Sequence, residues 1–134
     1  MAIDYGQARI GIAATDELGI MAHPVETIPS NAAHGIDALD RIVELVAARR
    51  IRTLVLGLPL RLDGSEGHAA ERVRCFAEKL HACLPELPIV WVDESFSTTD
   101  AAAKLREVGR NARRQKMVID QAAAVEILNR WMGY

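Results

Sequence analysis

The sequence predicts an α/β domain in which a mixed or parallel sheet is covered by helices on both faces. Three observations lead there. The first third of the chain reads as short strands joined by tight turns, which favour antiparallel neighbours. From there on, apolar runs alternate with amphipathic helical segments, the pattern of a sheet with helical crossovers. Finally, 134 residues, 50% hydrophobic and 25% charged, suit a single domain (residues 1–134) of ordinary globular composition.

The elements follow in order. Residues 2–5, 9–15 and 20–28 are predicted strands, with Gly6 and the stretch from Asp16 to Gly19 supplying the turns. Over residues 33–50 the apolar side chains Ile36, Leu39, Val43 and Val46 recur at helical spacing, and Arg49 and Arg50 suit a helix C-terminus. Residues 53–58 form a short apolar run ending at Pro59, as a strand buried on both faces would. A polar loop, residues 62–67, leads into a second helix with the stripe Val73, Phe76, Leu80 and Leu84, ended by Pro85 and Pro88. Residues 89–92 are a further buried strand running into Asp93 and Glu94. Ser97 with Asp100 resembles a capping box, opening a helix to about residue 108 with Gly109 as its stop. Residues 110–116 read as a basic loop, and an Ala-rich final helix spans residues 118–132.

Bulk properties narrow the function. No window approaches 18 uncharged apolar residues and the first residues lack the pattern of a signal peptide, so a soluble, cytoplasmic protein with no membrane contact is expected. Cys75 and Cys83 stand eight positions apart in one helix, about 12 Å along its axis, too far to bridge. The four histidines are scattered, without zinc-site spacing. The net charge of −2 argues against a polyanionic partner, but its distribution argues for one. Between positions 104 and 116, six basic residues, Lys104, Arg106, Arg110, Arg113, Arg114 and Lys116, face one acid, Glu107. Such a run is either a solvated surface or a phosphate-binding segment.

Sheets of this kind carry their chemistry at the carboxyl ends of the strands. Asp4 closes the first strand, Glu94 follows the last and Asp120 stands near the opening of the final helix. Three acids from separate positions are enough for a pair of hard divalent ions, Mg²⁺ or Mn²⁺, and such a pair can hydrolyse a phosphodiester. Each acid also has a plain structural use: Asp4 can initiate a turn and Asp120 can cap a helix.

Four blocks carry a resemblance that runs nearly end to end: Asp4-Tyr5-Gly6-x-x-Arg9-Ile10-Gly11; Gly57-Leu58-Pro59-Leu60-x-x-Asp63-Gly64-Ser65; Asp93-Glu94-x-x-Ser97-Thr98; and Asp120-x-Ala122-Ala123 with Ile127-Leu128. In this order they resemble the YqgF/RuvX family, regarded as Holliday-junction resolvases and as nucleases maturing the 5′ end of pre-16S ribosomal RNA. The resemblance implies an RNase H-like fold with a five-stranded sheet ordered 3-2-1-4-5 and strand 2 antiparallel. It also implies that Asp4, Glu94 and Asp120 are the catalytic, metal-binding acids. Structured RNA or branched DNA is the implied partner, with monomer and homodimer both open.

The nucleic-acid contacts expected beside these acids are Arg9, Arg61, Ser97, Thr98, Arg110, Arg113, Arg114 and Lys116. Three positions depart from the family pattern: Ala8 where a basic residue is common, Arg61 in place of Asn, and Ser95 in place of Arg. They bear on substrate grip more than on metal binding. They also keep an alternative in play, a non-catalytic nucleic-acid-binding or ribosome-assembly factor with a degenerate metal site. An actin-like phosphotransferase would need a second phosphate loop and a second domain, for which 134 residues leave no room.

Overall fold

The computed structural model describes residues 1–30, 37–94 and 112–134, with side chains from residue 119 onward in the last segment. Strands β1 (Ala2–Tyr5), β2 (Arg9–Thr15), β3 (Ala22–Pro29), β4 (Leu54–Leu58) and β5 (Ile89–Asp93) form one sheet ordered β3-β2-β1-β4-β5. The pairs β1–β2 and β2–β3 are antiparallel, whereas β1–β4 and β4–β5 are parallel. Helices α1 (Ala38–Arg49) and α2 (His68–Cys83) cover one face, and α3 (Ala112–Met132) covers the other. This is the α/β architecture and strand order expected of an RNase H-like domain.

Strand alternation sorts the side chains. Ile3, Ile10 and Ile12 point toward α1 and α2, where Ile42, Leu45, Val73, Phe76 and Leu80 meet them in the larger core. Ala2, Ala13 and Val55 point the other way and receive Ala124, Ile127 and Leu128 of α3. The small residues on this second face let the helix lie close to the strands, and that closeness sets the geometry of the acids. Tyr5 belongs to the first face, stacked on Phe76 at 4.5 Å between ring centroids.

Several boundaries differ from the sequence reading. The third strand begins at Ala22 rather than residue 20, because the Asp16 carboxylate accepts from the amides of Ile20 and Met21 and holds both in the turn. The first helix is described from Ala38, where Asp37 caps it by accepting from the Leu39 amide, and residues 33–36 of the expected helix lie outside the described residues. β4 is buried throughout, as expected, but β5 is only half-buried because it lies at the sheet edge, where the Arg74 guanidinium covers Trp91. Cys75 and Cys83 are exposed free thiols.

The largest correction concerns the last helix. It starts at Ala112, so Arg113, Arg114 and Lys116 sit in a helix and not in a loop. The run Ala-Arg-Arg-Gln-Lys-Met contains strong helix formers and no Gly or Pro, a propensity that its charge masked. Asp120 consequently lies eight residues inside α3, which removes its reading as a helix cap. The expected helix over 97–108, with Ser97, Thr98 and Arg110, lies outside the described residues.

Candidate active site

β1 is the central strand, and Asp4 stands on its α3-facing side, two residues from Ala2. In the β1–β2 register Asp4 faces Gly11. On the other flank, Ile3 pairs with Leu56, and continuing that parallel register by one residue places Asp4 beside Gly57. A Gly–Asp–Gly row thus crosses the middle of the sheet, and the missing side chains are occupied by the other two acids. A Cβ at Gly11 would lie 2.0 Å from the Asp120 carbonyl oxygen and 3.1 Å from its Cβ. A Cβ at Gly57 would lie 2.7 Å from Glu94 Oε2 and 2.6 Å from Ile127 Cδ1. Glycine at these two positions lets Asp120 and Glu94 approach Asp4 from either side.

Each acid is held by its own element. Glu94 extends the parallel ladder past β5, its amide donating to the Leu58 carbonyl at 3.0 Å. Arg130, from the last turn of α3, donates to the Asp93 carbonyl at 2.7 Å and so ties the helix to the residue before Glu94. Asp120 accepts from Arg9 Nε at 2.7 Å, and the next residue, Gln121, donates to Thr27 Oγ1 at 3.0 Å. Arg9 itself follows a tight turn in which the Gly6 amide donates to the Arg9 carbonyl.

Asp4 and Glu94 are in hydrogen-bond contact, a contact between two carboxyl groups that requires a shared proton. Burial is the main cause raising both. Glu94 is pushed up to about 10 by burial and by its contact with Asp4, with the Arg130 charge pulling it back. Asp4 is raised by burial and by the Asp120 charge, although the hydrogen bond with Glu94 opposes this. Asp120 stands apart from this pair, held by Arg9. Among the described residues no three His, Cys, Asp or Glu side chains are gathered tightly enough to hold a metal as they stand.

A pH dependence follows. A buried acid whose pKa is raised keeps its proton in the folded state after the unfolded chain has lost it. Stability therefore falls as pH rises from about 4.5 toward about 10, with a limiting slope of about 1.4 kcal/mol per pH unit for one proton. Melting temperatures in chelator should decline steadily between pH 6 and 9, and Glu94→Gln should flatten that decline. A wild-type profile flat over this range would mean that no proton is shared.

Of the other expected contacts, Arg61 is exposed in the β4–α2 connection, its guanidinium lying against Gly67, with no ion pair among the described residues. Arg9, an expected phosphate contact, is paired with Asp120 in this structure. Sequence reasoning gave no role to Gly11 or Gly57, although both fall in the motif blocks, and missed Arg130, whose only local signal is a basic residue in the last helical turn.

Comparison with known proteins gives the family of the chain. The chain matches the family described as RuvX, Holliday junction resolvase, over residues 1–134. It is 46% identical over 129 residues to a protein of Cutibacterium acnes named "Putative pre-16S rRNA nuclease", covering 96% of this chain and 78% of that one. A protein of the same name from Rhodococcus erythropolis is 44% identical, covering 98% and 76%. With the family pattern matched from end to end and the strand order in agreement, the chain belongs to the RuvX family.

Proposed function

We propose that this protein is a metal-dependent endonuclease that hydrolyses nucleic-acid phosphodiesters, in maturation of the 5′ end of pre-16S ribosomal RNA, in Holliday-junction resolution, or in both. The observation that carries the reading is the row across the sheet: Asp4 at its centre, Glu94 over Gly57 and Asp120 over Gly11. The family and the names of its relatives support the same reaction class.

The three acids fit hard divalent cations. Two buried carboxyls in contact require a proton between them, and the third requires a guanidinium, so positive charge is wanted at both places. Mg²⁺ or Mn²⁺ bound by Asp4, Glu94 and Asp120 would shield phosphate charge and supply a water nucleophile at neutral pH. Glu94 would give up its proton on loading, and Arg9, released from Asp120, would be free to pair with a substrate phosphate. Arg113 and Lys116, seven and four residues before Asp120 on the same helix, are proposed phosphate contacts. Arg61, Arg114, Arg110, Ser97 and Thr98 complete the proposed contacts.

A second reading, a nucleic-acid-binding assembly factor without turnover, is favoured by two observations: Arg9 occupies Asp120, and the three acids are not gathered into a finished site. One experiment separates the two. Purified protein is incubated with Mg²⁺ or Mn²⁺ and a four-way DNA junction, duplex DNA, single strands and a ribosomal-precursor RNA. The nuclease reading expects cleavage of at least one structured substrate and its loss in excess EDTA. Cleavage that persists in EDTA removes the metal mechanism, and tight binding without cleavage selects the assembly factor.

A further inference from the structure

The end of the sheet opposite the acids holds a second feature. There the end of α1, the turn joining β2 to β3 and the end of α3 enclose an open groove of about 990 Å³. Arg49, Arg50 and Arg52 line it, with Trp131 at its edge. Arg50 and Arg52 are exposed and form no ion pair among the described residues. Arg49 Nη1 lies 3.2 Å from His23 Nε2. Two acids, Asp16 and Glu17, also line the groove, but the Asp16 carboxylate is engaged by the Ile20 and Met21 amides.

Two details set this surface apart from an ordinary basic helix end. Arg50 caps α1 in the left-handed conformation, φ 54° and ψ 46°, a place where glycine or asparagine is usual and a longer side chain is strained. Trp131 is 43% exposed although it lies on one helical stripe with half-buried Asp120 and buried Ala124 and Ile127 of α3, at positions i, i+4, i+7 and i+11. The stripe thus begins at the acids and ends, eleven residues or about 16 Å later, at an open indole.

We propose that this groove is a second nucleic-acid contact, in which Arg50 and Arg52 take backbone phosphates and Trp131 stacks an unpaired base. The proposal rests on the nuclease reading and extends it to substrate choice. A stacked strand advances about 3.4 Å per nucleotide, so about five nucleotides separate the cleaved phosphate from the base on Trp131. Substrates with a longer flank should bind tighter than those cut short on that side. Guanidiniums for phosphates and an aromatic plane for bases are the combination by which single-stranded segments are held.

The test uses the full chain in EDTA, where binding is read without turnover, and fluorescent substrates with flanks of three and ten nucleotides. Arg50→Gly with Arg52→Gln should weaken binding of the long-flank substrate by roughly tenfold. It should also lower the slope of log affinity against log salt by about 0.7–0.9 per lost phosphate contact. Glycine suits the left-handed cap, so the double variant should melt no lower than wild type, and weakened binding then reports the groove and not unfolding. Trp131→Ala should weaken the long-flank substrate by roughly 5- to 100-fold and leave the short one unchanged.

If wild type cleaves its substrate while these variants keep wild-type affinity and salt slope, the groove proposal is overturned and the nuclease reading stands. Equal losses on both flank lengths would also overturn it. A wild type that neither binds nor cleaves any nucleic acid in the panel removes both.

Discussion

Glu94→Gln is expected to abolish cleavage while leaving the metal-free protein as stable as wild type or, above neutral pH, more stable. Glutamine keeps a donor toward Asp4, so the contact that replaces charge repulsion in the buried pair survives. What it cannot do is lose a proton and offer a carboxylate to a cation. Cleavage should fall by more than the roughly 10- to 100-fold typical of groups that only support a metal ligand. The rise in melting temperature that Mg²⁺ or Mn²⁺ gives the wild type should vanish with it. Asp120→Asn should also lose cleavage, with one difference: it breaks a partly exposed ion pair to Arg9 and so costs under about 1 kcal/mol of stability. Near-wild-type turnover in Glu94→Gln would take Glu94 out of the site.

The glycines flanking Asp4 should give effects nearly as large, and different from one another. At Gly11 an added methyl meets backbone: 2.0 Å to the Asp120 carbonyl oxygen and 2.4 Å to its carbon. α3 must lift off the sheet, so Gly11→Ala should cost stability, about 1–3 kcal/mol for an overpacked interior, as well as activity. At Gly57 the methyl meets only the ends of side chains, Ile127 Cδ1 and Glu94 Oε2. Gly57→Ala should therefore melt closer to wild type, yet displace Glu94 and lose most cleavage. Adding Ile127→Val removes the clashing Cδ1 and should restore the melting temperature without restoring turnover. If the double variant recovers full activity, Gly57 merely packs.

The legible parts of the fold were those specified within a few residues. β1 and β2 ran as expected because alternating apolar residues and a short turn fix a hairpin locally. α2 was recognisable from Val73, Phe76 and Leu80, all of which reach the core. The order of the strands came from resemblance, since periodicity says nothing about which strand neighbours which. The start of α3 was misplaced because a run of like charge reads as a loop when its helix propensity is not weighed. At the candidate site, the acids could be singled out by type and, for Asp4 and Glu94, by position at strand ends. Their partners could not: Arg9 and Asp120 are 111 residues apart in sequence, and Gln121 and Thr27 are 94 apart. The use of Gly11 and Gly57 likewise depends on what descends onto them from elsewhere in the chain.

The fastening of α3 at its middle and at its last turn also governs where this chain tolerates changes in length. Gln121 holds the middle to Thr27, and Arg130 holds the last turn to the Asp93 carbonyl. Inserting or deleting one residue between them would shift everything beyond by 1.5 Å and turn it through about 100°. Gln121 and Arg130 could then no longer both reach their partners. The turn between β2 and β3, by contrast, is exposed at Leu18 and bound mainly by its own Asp16, so extra residues there disturb the sheet and α3 little. Surviving insertions among natural variants of this chain belong in such turns, and the span from Asp120 to Arg130 should keep a fixed count.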